Sequence, residues 1–387
     1  MDFNFSEEQE AVRQLAAQIF GERSTHERLK QVESEAGGEG PIDRDLWREL
    51  ANAGLLGIHL GEDVGGAGLD FVAACLVIEA AGRTAAYVPV VESMVYGALP
   101  IERFGTDAQR KTWLSGVASG ETILTAAMAE LVGEVIVPGG AEPVTTATVQ
   151  KDGSWVLAGT KACVPAALVA DAALVPASCK TPDGAVTGVG VFIVDRDAAG
   201  LTLTPQATTT GRTEAVLELD GVAVAADRLV GDGIDGAAVI TGITEFATAA
   251  LCVQEAGACA TALELTAEYT KTRVQFEKPI ATFQAVGQRA ADAYVDTEAI
   301  RLTAWQAASR LAAGLPATAE VAVAKYWAAE GGQRVVHAAS HLHGGVGVDR
   351  DYPLHRFFLL TEQIEFTLGG AQDSLRRLGR ILADEPV

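Results

Sequence analysis

The sequence predicts an α+β chain with helical ends and a β-rich middle, and three observations carry that prediction. Two stretches keep a helical spacing of apolar residues, up to about residue 120 and again after Gly236. Between Glu121 and Gly231 the pattern shortens into strand-sized runs separated by turn signals, including Asp152-Gly153, Asp183-Gly184 and Asp220-Gly221. No helical pattern interrupts those runs, which argues for an antiparallel β-barrel or sandwich. The expected domains are an N-terminal helical domain over 1–120, a middle β domain over 121–233 and a C-terminal four-helix bundle over 234–387. A chain of 387 residues that is 49% hydrophobic can bury the cores of two or three domains.

The elements follow in order. Ser6-Glu-Glu-Gln9 is a capping-box pattern opening a helix with Val12, Leu15, Ala16 and Ile19 on one face. A second helix should begin near Asp43, carry Leu46, Trp47, Leu50 and Leu55, and end at Gly65-Gly-Ala-Gly68. A third should run from Phe71 to about Gly82. The strand-like runs are Thr145–Gln150, Trp155–Leu157, Val189–Val194 and Ala215–Leu219. Long helices are then expected from about Ala237 to Thr272 and from about Val286 to Ala313, where Gly314 and Pro316 stop the second. Another should cover Ala317 to His341 with an interruption at Gly331-Gly332, and a last one should follow Gly369-Gly370. There is no internal repeat.

Composition narrows the function. Basic residues number 29 and acidic residues 51, a net charge of −22, which repels nucleic acid and anionic membrane and favours solubility. Five cysteines without CxxC spacing suggest reduced thiols in a cytosol. The N-terminus lacks a basic then apolar leader, and no run of about 18 apolar residues appears, so neither a signal peptide nor a membrane span is expected.

Two segments carry chemistry. The first, Tyr269 to Gln284, holds Arg273, Gln275, Phe276, Glu277 and Gln284. An arginine can fork two hydrogen bonds to a pyrophosphate. The second is His341-Leu-His-Gly-Gly-Val-Gly347, where Gly344 and Gly345 let backbone N–H groups approach a phosphate or adenine. Read alone, the first is a helix cap with a buried Phe and the second a glycine helix stop. His337, His341 and His343 raise zinc, but with no cysteine nearby and no second cluster no metal is expected.

Together these segments resemble the flavin-contacting half of the acyl-CoA dehydrogenases, and the helical, β, then four-helix layout is similar to that family over nearly the whole chain. The family pattern Arg-x-x-Phe-Gly, with a Gln seven residues after the Gly, is met by Arg273, Phe276 and Gln284, with Glu277 in the Gly place. His341 stands where the family has Gln. The resemblance implies that Arg273, Gln275, Phe276, Gln284, His341, Gly344 and Gly345 contact the adenosine and pyrophosphate end of FAD, with Phe276 packing on the adenosine. It also implies α,β-desaturation of a CoA thioester, in which a carboxylate takes the Cα proton and the flavin takes the Cβ hydride.

The reactive end departs from the family. Where members carry Thr-Glu-Pro-x-x-Gly-Ser-Asp, this chain reads Met128-Ala-Glu-Leu-Val-Gly-Glu-Val135, keeping Glu130 and losing the hydroxyls. Gly159-Thr-Lys-Ala162 matches, but the ring-covering Trp-Ile-Thr-Asn-Gly that should follow is Cys163-Val-Pro-Ala-Ala167. Leu368 stands at one family position of the catalytic Glu and Ala247 at the other. Glu365 lies three residues before Leu368, and Glu245, two residues from Ala247, points roughly 200° round the helix from it. No catalytic residue is assigned.

This pattern is most similar to the subunit lacking the catalytic Glu in actinobacterial α2β2 acyl-CoA dehydrogenases of steroid side chains. The runs Phe283-Gln-Ala-Val-Gly-Gln-Arg, His343-Gly-Gly-Val-Gly-Val-Asp and Glu365-Phe-Thr-Leu-Gly-Gly-Ala carry that likeness. It implies a partner, a related chain with the catalytic Glu, and an acyl-CoA substrate. Two other readings stay open: a homomeric enzyme with Glu245 or Glu365 as base, and a structural or CoA-binding relative without a flavin role.

Overall fold

Ser6 caps the first helix as its sequence demands. Its Oγ accepts the Gln9 N–H at 3.1 Å, and Gln9 Oε1 accepts the Ser6 N–H at 3.1 Å. The computed structural model describes residues 4–133, 135–137, 142–231 and 235–384. The expected boundary at 233, Glu134 of the loop segment and the first three residues of the N-terminus therefore lie outside the described residues.

Seven helices and nine strands lead to the C-terminal part: α1 (Glu7–Arg23), α2 (His26–Glu35), α3 (Arg44–Asn52), α4 (Phe71–Thr84), α5 (Leu99–Phe104), α6 (Asp107–Ser119), β1 (Leu124–Ala126), β2 (Glu130–Val132), β3 (Val135–Val137), β4 (Thr146–Val149), β5 (Trp155–Pro165), β6 (Ala172–Lys180), β7 (Val186–Asp195), β8 (Leu201–Gln206), β9 (Glu214–Val224) and α7 (Gly236–Thr272). There follow a two-stranded hairpin, β10 (Val274–Gln275) and β11 (Lys278–Pro279), then α8 (Gln284–Ala312), α9 (Thr318–Tyr326), α10 (Gly332–His343), α11 (Leu354–Phe366) and α12 (Ala371–Asp384). A π-helical segment spans Glu92–Ala98, and another, Trp327–Gly331, joins α9 to α10 without a break.

Some elements differ from expectation. On α1, Val12, Ala16 and Ile19 are buried but Leu15 is 39% exposed. The second helix begins near Asp43 as expected, with Asp43 Oδ1 accepting the Leu46 N–H as its cap, but it ends at Asn52, so Leu55 and the glycines at 65–68 lie beyond it. Helices α2, α5, α6 and α11 and strands β1, β2, β3, β6 and β8 are additions to the expected set.

The molecule forms two compact units. One is built from Lys30–Ala74 and Tyr87–Ala247, the other from Met1–Leu29, Cys75–Ala86 and Thr248–Val387. In the first unit a nine-stranded sheet follows the path β1-β6-β4-β5-β2-β3, with β7 on β6 and β9 bridging β5 and β8. The sheet is mixed: β6 takes β1 and β4 in parallel, and the other pairs are antiparallel. Leu157, Val164, Val175, Phe192, Leu217 and Val222 form its core. Each lies at an alternate, inward position of its strand.

The second unit packs the C-terminal helices. The chain of α7 is long and apolar enough, by length and composition, to cross a membrane, although polar residues such as Glu245, Gln254 and Glu255 interrupt its apolar run. Its most apolar window is 67% buried against protein, so it reads as a core helix.

Candidate cofactor site

The α7 helix ends at Thr272, and the chain turns through the β10–β11 hairpin, where Val274 pairs with Pro279 and Gln275 with Lys278. A two-residue turn of type I′ between such strands needs positive φ at both positions. Phe276 and Glu277 supply it at +52° and +65° without glycine. The Ile280 N–H donates to the Arg273 carbonyl at 2.9 Å and ties the hairpin's exit to its entrance.

Beside the hairpin, α10 ends at His343 and is capped by Gly344, whose φ is +63°. Between the two lies an open cavity of about 550 Å³ lined by Tyr269, Arg273, Gln275, His341, Gly344 and Gly345, among others. Its size suits a nucleotide-sized ligand. No atom lies within 4 Å of a Cβ built on Gly344 or Gly345, so the backbone there is open to an approaching group. The Arg273 side chain is exposed.

The cavity floor is aromatic. The Tyr269 and His343 rings stack at 4.4 Å and 26°. His343 Nδ1 lies 2.8 Å from the Ala339 carbonyl and Nε2 lies 3.2 Å from Tyr352 OH. Since a carbonyl only accepts, Nδ1 carries the proton and Nε2 accepts from Tyr352. Burial holds the imidazole's pKa below its ordinary value, against the pull of the Ala339 carbonyl. His343 is thus a neutral, doubly bonded member of the floor.

Five of the seven expected residues meet at this cavity: Arg273, Gln275, His341, Gly344 and Gly345. Phe276 and Gln284 do not line it. Phe276 sits at the hairpin tip, 85% exposed, with its ring edge-on to Phe283 at 6.1 Å, because the turn directs its side chain outward. Tyr269 and Tyr352 were not singled out from sequence. The spacing of four between Tyr269 and Arg273 on a helix was the available signal.

In the other unit, the positions that should face a flavin ring are used internally. Glu130 Oε1 accepts from Lys161 Nζ and the Thr145 N–H, each at 2.8 Å, and Oε2 accepts the Val144 N–H at 2.8 Å. The Cys163 N–H donates to Gln206 Oε1 at 2.7 Å. Cys163 and Ala166 both take positive φ, +49° and +55°, around Pro165, which has no N–H. Ala247 is fully buried. Leu368 takes φ +60° in the turn after α11, and Glu365 Oε2 is buried without a hydrogen-bond partner. Among the described residues no cluster of His, Cys, Asp and Glu has the geometry of a metal site.

Family comparison matches the acyl-CoA dehydrogenase N-terminal domain to residues 6–121, the middle domain to 139–220 and the C-terminal domain to 235–380. The chain is 39% identical to acyl-CoA dehydrogenase FadE27 of Mycobacterium tuberculosis, over 100% of both chains. It superposes on a chain of the ChsE4-ChsE5 complex from Mycobacterium tuberculosis with a TM-score of 0.91 at 39% identity, over 100% of both. A chain of the Tcur3481-Tcur3483 steroid acyl-CoA dehydrogenase, in a variant form, superposes with a TM-score of 0.87 at 43% identity, over 98% of both.

Proposed function

The chain belongs to the acyl-CoA dehydrogenase family, oxidoreductases that act on CH–CH bonds with FAD as cofactor, and from that premise we propose that it supplies half of a flavin site to a partner chain. The observation that carries this reading is an asymmetry. The cavity for the adenosine and pyrophosphate end is formed, with Arg273, Gln275, His341, Gly344 and Gly345 around it. At the ring positions, Cys163 gives its N–H to Gln206 and Pro165 has none to give.

FAD supplies the hydride acceptor when bound. This chain's residues bind and orient it: Arg273 offers a forked donor to the pyrophosphate, and the Gly344–Gly345 backbone admits close approach. Phe276 and Gln284 stand at the hairpin tip and the start of α8, within the surface offered to a partner. The proton-abstracting Glu belongs to that partner, a related acyl-CoA dehydrogenase chain in an α2β2 assembly. The two superposed structures, a two-chain complex and a two-chain steroid enzyme, support this reading. The steroid enzyme supports a steroid as the acyl group of the CoA thioester, which this reading places on the side chain. The chain is read as three domains, 1–120, 121–233 and 234–387, acting in the cytoplasm.

Flavin content tests the proposal. Purified alone, the chain should be colourless near 450 nm. Co-expressed with the related partner, it should carry one flavin per pair. Arg273→Ala removes charge-assisted hydrogen bonds worth about 1.5–3 kcal/mol, so the pair should hold flavin roughly 10–100-fold more weakly. Full flavin and turnover on the lone chain would overturn the proposal. That result would favour a homomeric enzyme with Glu365 as base, since burial and Glu362 raise the pKa of that carboxyl despite Lys325. Loss of turnover in Glu365→Gln would then confirm the second reading.

A further inference from the structure

A polar cluster lies buried inside the helical unit, away from the cofactor cavity. Glu255, on α7, is fully buried, and its Oε1 accepts from the Cys259 thiol at 3.1 Å. Its other oxygen, Oε2, has no hydrogen-bond partner, and neither has the buried Oγ1 of Thr361 on α11. The carboxyl fits because α10 begins with glycine: a Cβ on Gly332 would stand 2.3 Å from Glu255 Oε1 and 3.2 Å from Thr361 Cγ2. The π-helical turn Trp327–Gly331 leads into that position. Such turns recur at functional sites.

Lys325, on α9, completes the cluster. It is buried, and its ammonium donates to the Ile364 carbonyl and, at 3.3 Å, to the Glu365 carbonyl. These carbonyls belong to the last turn of α11, so Lys325 is a buried cap on that helix. The turn that follows carries Leu368 at φ +60°, held by the Gly369 N–H on the Phe366 carbonyl at 3.2 Å. Other groups face the cluster: Cys252 from α7, Glu362 and Glu365 from α11, and Asp296 from α8, whose charge acts on Cys259. Glu330 and His337 act on Glu365 from outside.

We propose that Glu255 and Lys325 form a proton-sensitive latch on the end of α11: while Glu255 is neutral the helix end and the Leu368 turn stay closed over it, and ionisation of Glu255 favours their opening. Lys325 is the positioning residue and Glu255 the group that reports pH. Burial raises the Glu255 pKa to about 7, outweighing the Cys259 hydrogen bond and the charge of Lys325. Burial also lowers that of Lys325, against the pull of Cys252, Glu255 and Glu365. A carboxyl that is harder to ionise when closed than when open must couple opening to rising pH, up to its closed-state pKa. The latch does not depend on flavin being bound.

Hydrogen exchange on the full chain tests it, read on the amides of residues 364–370 and corrected for intrinsic chemistry. Between pH ~5.5 and ~7 the opening constant should rise roughly tenfold per pH unit and then level off. Glu255→Gln should flatten that profile and keep the segment protected. Lys325→Met should open it at every pH. A purely structural role would lower protection without changing the slope. A flat wild-type profile, a Glu255→Gln profile that matches the wild type, or unchanged protection in Lys325→Met would overturn the latch.

Discussion

Lys161 is fully buried, with its ammonium 2.8 Å from Glu130 Oε1. Burial works against both charges, pushing the Glu130 pKa up and the Lys161 pKa down. For Glu130, Lys161 and the two backbone donors win, and the pKa ends below the ordinary carboxylate value. Removing one partner leaves the other charge buried and unpaired, so Lys161→Met should cost about 3–5 kcal/mol. The double variant with Glu130→Gln should lose less, and thermal unfolding of all four proteins measures the coupling. The sign with pH also follows. A depressed carboxylate pKa gives stability that is present above the unfolded value and lost as pH falls through the folded one. The advantage of wild type over Glu130→Gln should therefore shrink in acid. The sequence showed both residues inside family-like segments, yet not as a pair. They are brought together by one bridge between β2 and β5, and such pairing leaves no local signal.

At the scale of elements, local chemistry was legible and distant pairing was not. The Ser6 capping box and the turns at Asp152-Gly153 and Asp183-Gly184 are written in adjacent residues, and each appears where it was expected; Asp220-Gly221 does not turn the chain but lies within β9, at a shift in its register with β5. The parallel placement of β1 and β4 on β6 joins segments far apart in the chain, so an antiparallel sheet was the natural reading. On α11, Leu354, Phe357, Leu360 and Ile364 are buried at helical spacing, but the motif reading of the flanking residues hid that pattern. The β10–β11 hairpin shows how a departure from family sequence acts through its element. Glu277 stands where the family has glycine, and its φ is +65°. An L residue in that conformation costs about 1–2 kcal/mol, part of which glycine returns as unfolded-state entropy. Glu277→Gly should stabilise the hairpin by up to about 1 kcal/mol, seen as slower exchange of the Ile280 N–H that donates to Arg273. Faster exchange would mean that the Glu side chain holds the turn.

At the scale of the whole molecule, the proposed half-site needs a seat for its other half, and α8 is the candidate for it. Its inward face buries Ala293, Asp296, Thr297, Ile300 and Ala304. Its outward face presents Tyr294, Val295 and Leu302 as exposed apolar groups. Val295 and Leu302 are seven positions apart, close to two helical turns, and so share one stripe. The hairpin that precedes α8 adds exposed Val274 and Phe276. Apolar groups grouped in this way on a chain of net charge −22 mark an interface better than scattered ones do. Burying a Val or Leu side chain is worth about 1.5–3 kcal/mol, and a carboxylate in its place adds a desolvation cost. The double variant Val295→Glu with Leu302→Glu should therefore weaken association with the partner chain by roughly a hundredfold or more. Exposed substitutions leave the fold nearly untouched, so the lone chain should unfold at an unchanged temperature. Sedimentation of the co-expressed pair measures the first effect, thermal unfolding of the lone chain the second, and absorbance near 450 nm the flavin that the pair retains. Dissociated chains with lost flavin would place the partner on α8. An intact assembly with full flavin would move the seat to another face, while leaving the role of Arg273 to be judged by its own variant.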